Sequence, residues 1–409
     1  MTTRAWRTRG IIAFAALVML SVLATVALSA SEEMVLEVKA AQNRNSIRQA
    51  YQAAYTGLDY CLYLTTLYAD WRTRLGNGNW ITSFAVGSGT VTVTASDPVD
   101  AQVSGDPLGT VQFSAAGACG AARRTITAQG KPQPGQAVRY VLCSLSNTDL
   151  ELRQGVHVYG DIRTKGAVAA DATVDPVGNI YTAAGKTVSA TLIDADTQVV
   201  RTEKVVPNPP IDFTWYRGVC AELTLPAVGG HYEINRVALT PTSNPFGLAN
   251  ANGLYYVDGR GAEVWISDSY ILGSLIVQNS TAVRVKLGCY HKAYRKYYPA
   301  IASSGAIIYE IERALKESVA NVDFNGDGDT RDSFVSQVNG LIYSAGKVTG
   351  FQINADPGPF YIWGAVVANE VKITTGQSFH VYYDRDLATI AVAGFEAPGL
   401  ALVAGSLKE

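Results

Sequence analysis

The chain has 409 residues, which is enough for an N-terminal stalk and one large or two moderate globular units. Its formal net charge is -2 and only 17% of its residues are charged, so overall charge gives no argument for nucleic-acid binding. The 38 glycines and 22 tyrosines favour a turn-rich body that is mostly β.

The N-terminus predicts a membrane segment. Residues 1–10 carry three arginines and no acid, and residues 11–30 carry no charge. Residues 11–30, at a rise of about 1.5 Å each, span about 30 Å, the thickness of a hydrocarbon core, and the basic flank keeps residues 1–10 in the cytoplasm. Three interpretations compete: a cleaved signal peptide, a plain anchor, and a leader that is cut after Gly10 on the cytoplasmic side.

The segment after the apolar stretch favours the third interpretation. Residues 31–71 contain no proline and one glycine, Gly57. Apolar residues recur there at steps of three and four: Ile47, Ala50, Ala54, Leu58, Cys61 and Leu64. We therefore predict one helix from residue 11 to about Trp71, with an amphipathic second part in the stalk region 31–74. A signal peptide would not continue into such a helix.

The stretch AAQNRNSIRQAYQAAYTGLD (40–59) is similar to the N-terminal domain of PilX-type minor pilins. The chain keeps seven residues of that element: Ala41, Asn43, Ala50, Ala53, Ala54, Gly57 and Leu58. It departs from the element at Gln42, Tyr55 and Thr56.

The resemblance implies a processing site and a location. A prepilin peptidase would cut between Gly10 and Ile11. The protein would be anchored in the inner membrane before assembly and then join other pilins in an extracellular filament. Ala15 stands where major pilins carry an acidic residue, which favours a minor pilin or pseudopilin, in low copy or at the tip.

The remaining residues, 75–409, form the head, and the expected fold class is α+β, mostly β. GTVTVTASDP (89–98) alternates apolar and polar residues, and VQFSAAGACGAARRTITAQG (111–130) has the pattern of two further strands. We predict a small antiparallel sheet at 75–150 that packs on the long helix, an order that also resembles a pilin head.

Residues 151–409 have short strands every eight to ten residues with Gly or Asn between them. This rhythm predicts a larger β-solenoid-like or irregular β domain, and a β-sandwich remains the alternative. The segments 206–210 and 240–245 are predicted as loops, and 306–319 as an amphipathic helix.

The sharpest local motif is DFNGDGDTRD (323–332), which we call the acidic loop. Oxygen-bearing side chains alternate along it, as in loops that wrap a calcium ion, although the glutamate of an EF-hand's twelfth position is replaced by Phe334. The predicted calcium ligands are Asp323, Asn325, Asp327, Asp329 and Asp332. The alternative is a solvated acidic turn, and in either case the role is structural.

None of the five cysteines lies in a CxxC pair, which argues against zinc. Outside the cytoplasm one or two disulfides are plausible. We expect Cys119 to pair with Cys143 first and Cys220 with Cys289 second, and Cys61 to be buried on the helix.

The segment KLGCYHKAYRKYY (286–298), here the basic segment, is the one cluster of cations and rings. Rings beside cations suit DNA or a surface glycan. The candidate ligand-binding residues are Lys292, Tyr294, Arg295, Lys296 and Tyr297. The alternative is a tyrosine-rich loop that covers the β domain.

No enzymatic site is expected. The four histidines are isolated, no GxSxG motif occurs, and the acidic residues are scattered rather than paired. The sequence thus favours a structural filament subunit first. A head that acts as an adhesin or captures DNA comes second, and an anchored enzyme acting on polysaccharides comes last.

Overall fold

The computed structural model describes residues 3–68, 70–153, 155–170, 175–189, 198–202, 206–209, 211–351, 358–374 and 378–409. They form two compact units, the first comprising residues 1–131 with 401–409 and the second residues 132–400. The sequence placed the border between the two β units at residue 150. The structure divides the chain at residue 131 instead, and residues 401–409 return to the first unit.

The first unit begins with helix α1, Thr3–Leu67, followed by the short helix α2, Trp71–Leu75. Helix α1 ends four residues before the predicted end at Trp71. From Ile12 onward it is long and apolar enough, by length and composition, to cross a membrane. Residues 12–45 are exposed along their whole length, whereas burial begins at about Ile47.

A five-stranded sheet has the order β1-β2-β3-β4-β29. Its strands are β1 Gly78–Val86, β2 Gly89–Ser96, β3 Val111–Cys119, β4 Ala122–Pro134 and the last strand of the chain, β29 Glu396–Leu402. Neighbours from β1 to β4 are antiparallel. Gly87 and Gly120 sit in the two tight hairpin turns with φ of 59° and 58°, a backbone conformation that favours glycine.

The second half of α1 packs on this sheet, and the predicted buried face is confirmed. Ala50, Ala54, Leu58 and Cys61 are fully buried, and Leu64 is 8% exposed. The approach is close because small residues meet there: a Cβ at Gly117 of β3 would lie 1.9 Å from the carbonyl oxygen of Ala50. A sheet residue with any side chain would push the helix away.

In its described part the second unit is mostly strand, with two short α-helices, α3 Phe213–Val219 and α4 Glu317–Ala320. The strands before α3 are β5 Leu142–Ser144, β6 Leu150–Leu152, β7 Val156–Tyr159, β8 Ile162–Thr164, β9 Val168–Ala170, β10 Asp175–Val177, β11 Ile180–Thr182, β12 Val188–Ser189 and β13 Val199–Arg201. Those from α3 to α4 are β14 Ala221–Glu222, β15 Ala227–Val228, β16 His231–Asn235, β17 Ala238–Leu239, β18 Leu254–Asp258, β19 Glu263–Leu272, β20 Ser274–Gln278, β21 Ala282–Lys292, β22 Ile301–Ser303, β23 Ala306–Ile311 and β24 Leu315–Lys316. After α4 come β25 Ser333–Phe334, β26 Gln337–Phe351, β27 Phe360–Ile373 and β28 Phe379–Tyr383.

Most strands of the second unit pair in parallel and belong to one curled 22-stranded sheet. The long strands β26 and β27 bend, so that successive parts of each pair with different partners. Their inward side chains form one continuous apolar core that runs from Val141 to Val381. Parallel pairing does not fit the sandwich alternative. A regular solenoid stays a prediction, because strand lengths range from two to 15 residues.

The order of strands across this sheet is not the order of the chain. Strand β27 pairs in parallel with β5, joining Val366 to Leu142, and β28 pairs with β7. The segment that contains β5 to β13 therefore continues the sheet beyond the C-terminal strands rather than preceding β14.

The helix predicted at 306–319 is wrong. Residues Ala306–Ile311 form β23, which lies in parallel between β21 and β26, and only Glu317–Ala320 is helical. Ile307, Tyr309 and Ile311 point into the core. The tertiary pairing outweighs the helical spacing of the apolar residues, and β-branched residues suit a strand.

Candidate functional site

The processing residues of the sequence prediction, Gly10 and Ile11, lie within the range of α1. Their side chains are outside the described part of the structure. The helical stretch that follows is apolar and exposed, with exposed fractions of 67% at Ile12, 73% at Phe14 and 70% at Leu17.

The acidic loop is ordered by its own backbone. The two carboxylate oxygens of Asp323 accept hydrogen bonds from the amides of Gly326 (2.6 Å) and Gly328 (2.9 Å). These amides, Gly328 first, lower the pKa of Asp323. Asp327 and Asp329 each accept from the amide two residues further on. The loop is therefore held in a turn with its carboxylates gathered.

Three of the predicted ligands converge: carboxylate oxygens of Asp327, Asp329 and Asp332 lie within 4.8 Å of one another. The side-chain amide of Asn325 donates to Asp332 (2.6 Å) and Asp327 (3.0 Å). Desolvation, followed by the charges of Asp327 and Glu317, raises the pKa of Asp332. A cation at this point would relieve the repulsion, and rotation of the Asn325 amide would turn its oxygen toward that cation.

Glu317 anchors the loop, and the sequence prediction missed it. It is fully buried at the start of α4. One carboxylate oxygen accepts from the amide of Phe324 (2.6 Å) and the other from the amide of Asp332 (3.1 Å). A single carboxylate thus ties both ends of the loop to the body. Glu317 fell within the helix predicted at 306–319, and no role in the loop was predicted for it.

The cations of the basic segment are partly neutralised. Lys296 forms ion pairs with Asp384 (3.3 Å) and with Asp386. Lys286 lies 3.9 Å from Glu310 and also over the ring of Trp265. This arrangement weakens the segment as a binding site for phosphates.

Two predicted cations of the segment remain without an acidic partner within the described ranges. Lys292 is exposed at the end of β21, and the guanidinium of Arg295 lies over the ring of Tyr294, 4.9 Å from its centroid. Tyr294 is 40% exposed and Tyr297 37% exposed. Tyr297 packs edge-on against Tyr298. The segment therefore combines two available cations with two half-exposed rings.

Six rings on the outer face of β27, β28 and β7 form a cluster that sequence reasoning did not single out. We call this cluster, Tyr361, Trp363, His380, Tyr382, His157 and Tyr159, the aromatic grid. The signal was present as alternation in FYIW, FHVYY and VHVY, where every second residue is a ring. The alternation predicts that the rings share a face, but only the pairing of three distant strands brings them together.

The cysteines do not form the predicted pairs. All five lie at described positions and each is a free thiol, so neither Cys119–Cys143 nor Cys220–Cys289 is present. Cys289 points into the core of the second unit, whereas Cys220 follows α3 and is only half buried. Cys119 instead donates to the side-chain oxygen of Gln49 at 3.0 Å. Cys61 is buried on α1 as expected.

No family model and no curated protein matches the sequence. Among solved structures, the competence-associated pilin ComZ from Thermus thermophilus is similar to this chain. The likeness covers 89% of this chain and 97% of that one, at 11% identity and a TM-score of 0.31. At that identity and TM-score it carries no conclusion about function.

Proposed function

We propose that the protein is a subunit of a type IV pilus-like filament, held in the inner membrane by α1 before assembly. The observation that carries this proposal is the length of the bare part of α1. Residues 12–45 are exposed, and at about 1.5 Å per residue they extend about 51 Å, well beyond a hydrocarbon core of about 30 Å.

The part of α1 beyond residue 30 carries apolar side chains between its charged ones. Met34, Val35, Leu36 and Val38 lie beyond residue 30 and are 51% to 67% exposed. A bilayer that surrounds residues 11–30 cannot also cover these side chains. Neighbouring helices of the same kind can, because packing them together removes the apolar surface from water at about 25 cal/mol per Å². A plain membrane anchor leaves this surface unexplained.

The finer assignment is a PilX-like minor pilin or pseudopilin, cut by a prepilin peptidase between Gly10 and Ile11. It rests on the residues of 40–59 and on Ala15, whose methyl group offers no carboxylate to a neighbour's amino terminus. A low-copy or tip position follows from that missing charge.

N-terminal sequencing of the filament-associated protein tests the proposal. We expect a mature chain that begins at Ile11, and we expect Gly10→Leu to leave the leader in place and to keep the protein out of filaments. A cysteine at Val38 should cross-link to a neighbouring subunit, whereas one at the exposed position Thr66, on the half of α1 that packs on the sheet, should not. A mature start near Ser31 would overturn the proposal.

We also propose that the acidic loop binds calcium as a structural ion. Asp327, Asp329 and Asp332 supply converging carboxylates, and Asp323 and Asn325 supply the remaining oxygens. Chelation should lower the melting temperature of the purified protein, and added calcium should restore it. Asp327→Asn should abolish this response, while Asp100→Asn, at an exposed acid of the first unit, should leave it intact. A melting temperature that does not change when calcium is removed or added would contradict the proposal.

A second candidate function is ligand capture by the basic segment, with DNA or a surface glycan as the ligand. Lys292 and Arg295 favour it, because both are free of acidic partners within the described ranges. Two phosphate contacts on single-stranded DNA predict a salt slope of only about -1.4. Replacing Lys292 and Arg295 with alanine should remove that slope, while Lys296→Ala, which removes an already paired cation, should change it little. Binding that persists in the double variant would exclude this candidate.

A further inference from the structure

We propose that the aromatic grid is a binding surface for a neutral glycan, with Trp363 as its central contact. The inference rests on the proposed function only in that the head must lie outside the cytoplasm to meet such a ligand.

Strand pairing sets two rows of side chains side by side on one outer face. The first row runs through positions that pair in turn: Lys292, Asn339, Trp363, Tyr382 and Tyr159. The second row lies two residues earlier on each strand: Tyr290, Gln337, Tyr361, His380 and His157. Neighbouring strands are about 4.8 Å apart, so each row is about 19 Å long. That length accommodates several sugar units of an extended chain.

Within the rows the rings stack face to face. The centroids of Trp363 and Tyr382 are 4.2 Å apart at 12°, and those of Tyr382 and Tyr159 are 4.3 Å apart at 1°. In the second row His380 lies 4.6 Å from His157 and 5.2 Å from Tyr361. This mutual stacking orients the rings before any ligand arrives, which lowers the entropy that binding must otherwise overcome.

Along the first row the side chains become smaller between Trp363 and its pairing partner Asn339. Trp363 stacks on Tyr382 on one side, while its neighbour on the other side is the shorter side chain of Asn339, and the indole is 43% exposed. Further along the second row the situation differs, because Tyr290 and its neighbour Tyr270 are covered by Phe324 and Phe334. At the other end of the grid, no described residue outside it stacks on the open side of Trp363.

The side chains around Trp363 and Asn339 suit a pyranose ring. The face of an indole is electron-rich and attracts the weakly positive C–H groups on one face of a sugar. Asn339 and Gln337 are half-buried amides that pair with the grid positions Trp363 and Tyr361. Each amide can both donate to and accept from sugar hydroxyls, and Lys292 can donate from the end of the row.

The local charge favours a neutral polymer over a nucleic acid. Lys292 is the one cation in the two rows. The nearby Lys296 is paired with Asp384 and Asp386, and Asp384 follows Tyr382 by two residues. Single-stranded nucleic acid needs a positive groove along its backbone beside the stacking rings. Here the rings are flanked by amides and carboxylates instead.

The test uses the full-length protein in detergent micelles, so that filament assembly does not enter the measurement. We expect immobilised chitohexaose or cellohexaose to bind it, with little change between 50 mM and 500 mM salt. Trp363→Ala should weaken binding at least tenfold, and Trp363→Phe should restore part of it. The matched control is Tyr55→Ala, which removes a similarly exposed ring from α1, outside both candidate binding surfaces, and should have no effect. Circular dichroism and melting temperature verify that each variant is folded.

Asn339→Ala tests the same site without touching a ring, and it should weaken binding several-fold even if Trp363→Ala fails to fold. The proposal is overturned if neither hexaose binds. It is also overturned if binding is unchanged in Trp363→Phe and Asn339→Ala, or if the protein binds oligothymidylate with a steep salt dependence and no hexaose. A correct mature N-terminus with no glycan binding would refute this inference and leave the filament proposal standing.

Discussion

The contact between α1 and the sheet of the first unit depends on a missing side chain at Gly117. A Cβ there would lie 1.9 Å from the carbonyl oxygen of Ala50 and 2.7 Å from the amide nitrogen of Ala54. Both are backbone atoms, so no rotamer change can relieve the clash. The helix would have to move by about 1.5 Å to reach an ordinary contact of about 3.4 Å.

Gly117→Ala should therefore loosen α1 from the sheet. Overpacking of this kind costs about 1–3 kcal/mol, which raises the population of molecules with a detached helix about 5- to 150-fold. Cys61 reports on this event, because it is fully buried on α1 and burial raises the pKa of its thiol to about 12. Alkylation of Cys61, followed by peptide mass spectrometry, should accelerate by that factor.

Two controls accompany this experiment. Ala116→Val adds bulk on the exposed face of the same strand and should leave the labelling of Cys61 unchanged. Cys289, buried in the second unit, should react equally slowly in all variants. If Gly117→Ala labels Cys61 at the rate of the unchanged protein, the close helix–sheet contact is not what holds α1 in place.

Three further predictions concern the second unit. Burial lowers the pKa of His291 from its usual 6.5 to about 4, so the unfolded chain binds the proton more tightly than the folded one. The free energy of unfolding should therefore fall by about 3 kcal/mol between pH 6.5 and 4. Chemical denaturation at several pH values measures this fall, and His291→Gln should make it smaller. Glu317→Gln replaces one carboxylate oxygen with an NH2 group, so the backbone N–H of either Phe324 or Asp332 loses its acceptor. This should lower the free energy of unfolding by about 1–3 kcal/mol and speed proteolysis at residues 323–332. An unchanged cleavage rate would show that Glu317 does not hold the loop. Burial and the facing imidazole of His157 lower the pKa of His380, so stability should also drop as pH falls below 6.5; His157→Phe, which keeps the stack, should show a smaller drop in melting temperature at pH 5 than the unchanged protein.

Local patterns predicted the elements whose structure depends on local sequence. Helix α1 follows from an uninterrupted run without proline, and its buried face follows from the spacing of Ala50, Ala54 and Leu58. The strands of the first sheet follow from alternation in 89–98 and 111–130. The gathering of Asp327, Asp329 and Asp332 also follows from spacing, because alternate residues in a tight Gly-rich turn stay close.

Sequence patterns gave wrong predictions where a residue's structural neighbours are distant in the chain. Residues 306–319 have helical spacing, but Ile307 and Ile311 find neighbours in β21 and β26 only after those strands have paired. The predicted disulfides failed for a related reason, since position within a strand does not tell which strand lies next to it.

The sequence alone therefore determined that the chain has a membrane-length apolar helix continuing into an amphipathic one, and that the rest is mostly β. Both properties can be predicted from the spacing of apolar and polar residues within short stretches of the chain. Only the tertiary structure decided that β27 pairs with β5, more than 200 residues away, and that β28 pairs with β7. Parallel pairing across such distances depends on which surfaces bury each other and not on local preference. The aromatic grid exists only because of that pairing, and so does the binding surface proposed for it.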